Sequence, residues 1–115
     1  MTKSDLVYLR HILDACSTLE QIRDRVGSAT GLEAHPIERA AAERLLTVIG
    51  EAAKNVSPAF RAQHPGVPWH GMAGLRDRLV HHYFGVDYEA VWATIVDDLP
   101  ELEERVRALV ETIDA

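Results

Sequence analysis

Apolar residues recur at steps of three and four positions along four stretches of this chain, which is the pattern of amphipathic helices. The first stretch covers about residues 5–26, with Ser4 as its expected N-cap and Gly27 as its expected stop. A loop over residues 27–35 leads into a second helix, predicted over residues 36–56. The apolar stripe of that second helix is wide, which indicates neighbours on two of its sides.

The second half of the chain predicts a short helix followed by two long ones, and no convincing strand. Ser57 is a good N-cap for the short helix, which is expected over residues 58–63. A third main helix is expected over residues 69–84, and Asp87 then caps a fourth. Pro100 falls inside the apolar pattern of the fourth helix, where it should kink or break the helix.

Four amphipathic helices with short links predict an all-α fold, an antiparallel four-helix bundle with one short extra helix. The 115 residues fit one domain, spanning residues 1–115, with one hydrophobic core. Cys16 is the single cysteine, which excludes an internal disulfide and a cysteine-rich zinc framework. Because the sequence shows neither a secretory signal nor a run of about 20 apolar residues, we expect a cytoplasmic protein without a membrane span.

The formal net charge of −6 counts against a broad electrostatic attraction to nucleic acid. Affinity for nucleic acid usually comes from cationic side chains that neutralise phosphates. An acidic chain of this size would therefore need a local basic patch or a partner subunit to hold such a ligand.

Functional side chains are concentrated in residues 76–83, which read Arg-Asp-Arg-Leu-Val-His-His-Tyr. Packing in a helical bundle does not require such a density of charged and titratable groups. On a continuous helix Asp77 and His81 are neighbours, so the carboxylate would fix the tautomer of the imidazole. Arg76 and His81 are five positions apart, roughly 140° around an ideal helix, so spacing alone does not put them on one face.

Arg76 and His81 together meet the minimum for cutting RNA without a metal ion. RNA carries its own nucleophile, the 2′-hydroxyl, while arginine matches phosphate oxygens and histidine moves a proton near neutral pH. The same residues also fit a structural role, with Arg76 and Arg78 facing solvent and Asp77 paired with His81 on the surface. The residue types alone leave both interpretations open.

A metal site is a weaker interpretation of the histidines. Adjacent His81 and His82 point roughly 100° apart on a helix, which makes shared ligation awkward. His64 and His70 lie upstream, but no cysteine or glutamate at a ligand spacing completes a site. We therefore expect neither a metal ion nor another cofactor.

The segment Arg76-x4-His81-x-Tyr83 resembles the R-x4-H-x-Y motif of the HepT toxins, a branch of the HEPN superfamily. The match within the motif shows no departure, and the resemblance extends over about residues 5–112. Three flanking segments are also similar to that family: Ile49-Gly50-Glu51-Ala52-Ala53-Lys54, Pro68-Trp69, and Tyr83-Phe84-Gly85-Val86-Asp87 followed by Val91-Trp92.

The resemblance implies a HEPN-like bundle that forms a homodimer, with the motif helices lining a shared cleft. It implies a metal-independent endoribonuclease that acts on mRNA or tRNA as the toxin of a type VII toxin–antitoxin system. The partner would be an MNT-type nucleotidyltransferase antitoxin, which would block the RNase by AMPylation of Tyr83.

Carried over to this chain, the family motif makes Arg76 and His81 the catalytic pair, with Asp77 as the supporting polar residue. Arg78 and His82 would contact RNA where the two clefts of a dimer concentrate positive charge. A non-catalytic helical module, which presents its cleft to a nucleotidyltransferase or its nucleotide, is the alternative function. The two hypotheses differ over His81, because a binding module does not need a titrating base beside an arginine and an aspartate.

Overall fold

The computed structural model describes residues 2–81 and 85–114, apart from the side chains at positions 76, 78, 80, 81 and 114. The molecule measures 41 × 28 × 20 Å along its principal axes. Its longest helix, α1 (Lys3–Val26), packs against both α3 (Pro36–Asn55) and α8 (Leu99–Asp114). Helices make up most of the described chain, which confirms the predicted all-α fold class.

A capping box starts α1 at Thr2, two residues before the predicted N-cap. The Thr2 hydroxyl accepts from the backbone N–H of Asp5 (3.1 Å), and the Asp5 carboxylate accepts from the backbone N–H of Thr2 (3.2 Å). The prediction of Ser4 as N-cap was therefore wrong, because Asp5 supplies the reciprocal partner that a capping box needs three residues later. Gly27 ends the helix as predicted, in the left-handed conformation with φ 75°.

The predicted loop between α1 and α3 contains a short helix, α2 (Ala29–Ala34). The Ser28 hydroxyl caps it by accepting from the backbone N–H of Gly31 (2.9 Å), and Leu32 is fully buried. Six residues bury too few apolar positions to show a helical period, so the sequence pattern did not reveal α2. The second predicted helix is confirmed as α3, with Pro36 in its first turn.

The short helix predicted after Ser57 is confirmed as α4 (Pro58–Gln63). The predicted third helix is instead divided into α5 (Trp69–Ala73) and α6 (Leu75–Leu79). Gly74 separates the two pieces, and its lack of a side chain makes it one of the weakest helix formers. The prediction of one continuous helix over residues 69–84 was therefore wrong.

A two-stranded antiparallel ladder follows α6, although the sequence predicted no strand. In it β1 (Val80–His81) pairs with β2 (Gly85–Val86), and the register places Val80 opposite Val86. Gly85 has a φ of 81°, a left-handed conformation that glycine adopts without strain. The backbone N–H of Asp87 donates to the carbonyl of Leu79 (3.0 Å), which closes the turn back to α6.

The C-terminal helical segment changes its hydrogen-bond pattern before Pro100. Asp87 caps α7 (Tyr88–Ala93) as predicted, and a π-helical turn (Thr94–Asp98) then leads into α8. The backbone N–H of Leu99 donates to the carbonyl of Thr94, five residues back. The expected interruption at Pro100 thus takes the form of a widened turn, after which proline occupies the first turn of α8.

The core lies where α1 meets α3 and α8. The large side chains that are fully buried there come from all three helices: Leu9, Ile12, Leu19, Leu46, Ile49 and Val106. Within the described ranges, no helix is long and apolar enough to cross a membrane.

Candidate active site

Two buried leucines hold α6 against the rest of the molecule. Leu75 and Leu79 are the first and last residues of α6, and they are only 4% and 5% exposed. The helix contacts α3, the second-longest helix of the structure. Arg76, Asp77 and Arg78 occupy the three positions between the leucines, so two apolar anchors fix the backbone that carries the first half of the motif.

The backbone of His81 belongs to the ladder that follows α6. It lies opposite Gly85 in the β1–β2 register, in the connection between α6 and α7. The prediction that Asp77 and His81 are neighbours on one helix was therefore wrong, because α6 ends at Leu79. Val80 favours this change, since β-branched residues prefer extended backbone. The angle of an ideal helix likewise no longer relates Arg76 to His81.

Among the predicted site residues, the structure describes one with its side chain, three by their backbone and two not at all. Asp77 is exposed on α6, and the backbones of Arg76, Arg78 and His81 are placed on α6 and β1. The side chains of these two arginines and this histidine lie outside the described part of the chain. The remaining two predicted residues, His82 and Tyr83, also fall outside the described residues.

Gly50 lets α3 approach the end of α5 closely, a role that the sequence did not reveal. A Cβ atom at this position would lie 3.2 Å from the carbonyl oxygens of both Met72 and Ala73. The flanking Ile49 and Ala53 are fully buried. The Gly50 segment of α3 is therefore a packing surface that supports α5 and, through it, α6. A glycine inside a long helix was the available signal, because glycine there usually has a packing or functional reason.

Other residues considered from the sequence have structural surroundings. Trp69 is buried, and its indole N–H donates to the carbonyl of His64 (2.9 Å). The ring of His64 contacts Phe60, with ring centroids 4.5 Å apart. Glu51 pairs with Lys54 across 3.7 Å. Among the described residues, no three potential ligands come together in a way that could hold a metal ion.

A cleft beside α6 was missed by the sequence interpretation. It has a volume of about 440 Å³ and separates the segment over residues 66–71 from the π-helical turn and α8. Its walls come from elements distant along the chain, so no local pattern predicts it. Its lining comprises Gly66, Pro68, Gly71, Met72, Leu75, Thr94, Asp98, Leu99, Glu101, Leu102 and Arg105.

Comparison with known proteins relates this arrangement to a family. The model of the family described as "Ribonuclease HepT-like" matches residues 12–109, which include α3, α6 and the β1–β2 ladder. No solved structure matches the chain.

Curated relatives carry similar descriptions. A protein of Caldanaerobacter subterraneus subsp. tengcongensis, named "Putative RNase", is 41% identical over 109 residues, or 95% of this chain and 96% of the relative. A protein of Thermococcus cleftensis, named "Probable ribonuclease HepT", is 36% identical over 109 residues, or 95% of this chain and 98% of the relative. A Methanocaldococcus jannaschii protein, "Gamma-glutamylcyclotransferase and putative RNase", is 32% identical over 114 residues, which are 99% of this chain and 51% of that protein.

Proposed function

This chain belongs to the HepT-like ribonuclease family, and we propose that it is a metal-independent endoribonuclease. One observation carries the proposal. The matched segment contains the complete Arg76-x4-His81-x-Tyr83 motif, and the buried leucines of α6 fix the backbone beside its arginine.

The proposed reaction uses the 2′-hydroxyl of RNA as its nucleophile. His81 accepts the proton of that hydroxyl while the 2′-oxygen forms a bond to phosphorus. The bond to the 5′-oxygen breaks, and this oxygen takes a proton from an imidazolium or from water. The guanidinium of Arg76 stabilises the negative charge that develops on the phosphate oxygens. The products are a 2′,3′-cyclic phosphate and a free 5′-hydroxyl.

A homodimeric four-helix bundle is part of this proposal, and the charge of the chain supports it. With a net charge of −6, one copy has little general attraction for RNA. Two copies whose motif segments face each other would bring Arg76, Arg78 and His82 from both chains to one cleft. Asp77, exposed on α6, would add a supporting polar group to the same cleft.

The biological role that we propose is that of a toxin in a type VII system, controlled by an MNT-type nucleotidyltransferase antitoxin. AMPylation of Tyr83 would add bulk and a negative phosphate to the motif segment, and both would oppose the binding of an RNA phosphate.

Replacement of the tyrosine tests this control. With ATP and such a nucleotidyltransferase, the wild-type chain should gain the mass of at least one AMP and lose its RNase activity. The Tyr83→Phe variant should gain no mass and should stay active in the same mixture. Equal inactivation of both proteins would show that the modification is not the mechanism of control.

Cleavage of total cellular RNA in EDTA tests the proposed activity. His81→Ala should lose at least about 100-fold in cleavage rate, because it lacks the group that moves the proton. His70→Ala is a matched control, since His70 is exposed on α5 and outside the motif. It should cleave like the wild type.

Two outcomes would contradict the proposal. If His81→Ala cleaved RNA as fast as the wild type, His81 would not be the catalytic base. If no protein cleaved RNA, although its mass showed it to be unmodified, the non-catalytic binding module would be the better hypothesis.

A further inference from the structure

The cleft beside α6 has an apolar floor. Met72 and Leu75 contribute to it from α5 and α6, and Leu99 and Leu102 contribute from α8. All four side chains are at most 6% exposed. With a volume of about 440 Å³, the cleft lies in the range of sites that hold small organic groups. A flat aromatic ring is one such group.

Among the described side chains that line the cleft, the two carboxylates differ in whether they have a partner. Arg105 donates to Glu101 (2.8 Å) and also to the backbone carbonyl of Gly66, so Glu101 is neutralised and Arg105 is engaged on both sides. Within the described ranges, the Asp98 carboxylate makes no hydrogen bond or ion pair. Asp98 is exposed to solvent and, among the described side chains, is free to receive donors from a ligand.

The position of the cleft links it to the motif. Leu75 lines the cleft and directly precedes Arg76, so their Cα atoms are about 3.8 Å apart. The backbone of the motif thus begins at the edge of the cleft, and we expect an RNA strand bound at the motif to pass close to it. A neighbouring base of the same RNA strand would be within reach of it.

We propose that this cleft binds one unpaired RNA base and that Asp98 selects guanine. The inference rests on the proposed RNase function and adds a base preference to it. Guanine presents two adjacent donors on its Watson–Crick edge, N1–H and the exocyclic amine, and one carboxylate can accept from both. Adenine and cytosine place an acceptor next to their amine, and uracil has one N–H between two carbonyls. Each of these would set a lone pair against Asp98.

The net negative charge of the chain favours a contact with an RNA base over contacts with phosphates. Phosphate contacts to cationic residues provide most affinity in ordinary nucleic-acid binding, and in this chain 18 acidic residues outnumber the 12 lysines and arginines. Apolar contact between a base and the floor of the cleft, and hydrogen bonds to a base edge, contribute affinity that does not need positive charge.

A pair of variants in the same turn tests the role of Asp98. The substrates are short single-stranded RNAs that differ only in the base beside the scissile phosphate. Asp98→Asn should slow cleavage of the guanine substrate by about tenfold or more, because an amide offers one acceptor instead of two. Asp97→Asn is the matched control, since Asp97 is exposed in the same π-helical turn but does not line the cleft. It should keep the wild-type rates.

Nucleoside binding separates a failure of this inference from a failure of the proposed function. Guanosine, but not adenosine, cytidine or uridine, should shift the backbone amide resonances of Gly66, Gly71 and Leu99 in the wild-type protein. If guanosine does so although no RNA is cleaved, the base site stands and the RNase function fails. If RNA is cleaved without base preference and guanosine shifts none of these resonances, the base site is wrong while the RNase stands. Unchanged guanine preference in Asp98→Asn would also overturn the inference.

Discussion

Asp5 is a buried carboxylate that joins the start of α1 to the start of α4. It is 1% exposed, and it accepts from the backbone N–H and the hydroxyl of Ser57, at 2.7 and 2.8 Å, and from the backbone N–H of Thr2. Burial alone would raise the pKa of Asp5, but the hydrogen bonds from Ser57 and Thr2 outweigh it and hold the pKa below the ordinary value. The ionised form of Asp5 therefore stabilises the fold.

Loss of this carboxylate should destabilise the protein strongly. We expect Asp5→Ala to lower the free energy of unfolding by about 3 kcal/mol near neutral pH, because three donors of Ser57 and Thr2 lose a charged acceptor. Asp14→Ala is the control, since Asp14 is exposed on the same helix, and it should change stability by less than about 0.5 kcal/mol. Urea unfolding of the three proteins measures both values.

The contribution of Asp5 to the free energy of unfolding should decrease as the pH falls. A lowered folded pKa means that the contribution of Asp5 is fully present above the ordinary aspartate pKa and is lost as the pH falls through the folded value. The stability difference between the wild type and Asp5→Ala should therefore shrink in acid. A difference that stayed constant down to the lowest folded pH would contradict the assigned role of the ionised carboxylate.

At the scale of elements, the sequence predicted the helices whose signals are local. Apolar periodicity over many turns located α1 and α3, and Ser57 and Asp87 marked the starts of α4 and α7 as N-caps. These signals depend only on neighbouring residues, so they can be interpreted without knowledge of tertiary contacts.

The elements around the candidate site were predicted less well, because tertiary contacts decide them. The third helix is interrupted at Gly74 and ends at Leu79, where the chain turns back to pair with Gly85–Val86. The motif could therefore be identified by residue type and spacing, whereas its helical geometry could not. The close approach at Gly50 and the cleft near Asp98 involve residues far apart in sequence: a glycine inside a helix signals the first without naming its neighbour, and no local pattern reveals the second.

At the scale of the whole molecule, acidic residues outnumber basic ones by 18 to 12. Two of the carboxyl groups, those of Glu20 on α1 and Glu103 on α8, lie against each other. Glu103 is buried on α8 and pairs with Arg107 through one oxygen, at 2.6 Å. Its other oxygen, Oε2, is buried and meets no donor in the described structure while Glu20 of α1 is ionised. A proton on Glu20 supplies that donor. The hydrogen bond with Glu103, together with burial, therefore raises the pKa of Glu20.

The pKa of Glu103 moves in the opposite direction. Burial would raise it, but the hydrogen bonds with Glu20 and Arg107 outweigh burial and lower it. One proton is thus shared between two unlike sites, and the pair stabilises the fold most when only Glu20 is protonated. That contribution is lost in acid, when Glu103 is protonated. It is also lost as the pH rises through the raised pKa of Glu20, when two carboxylates face each other.

Glu20→Gln should remove the loss of stability at high pH, because the amide of glutamine donates to Glu103 and does not titrate. We expect the free energy of unfolding of the wild type to fall, relative to Glu20→Gln, by on the order of 1 kcal/mol as the pH rises from below the raised pKa of Glu20 to well above it. Glu104→Gln makes the same change of charge at an exposed position on α8, and it should follow the wild type. Urea unfolding across this range decides the matter. If all three proteins gave parallel curves, the proton would not be shared, and general repulsion within an acidic molecule would account for any loss of stability at high pH.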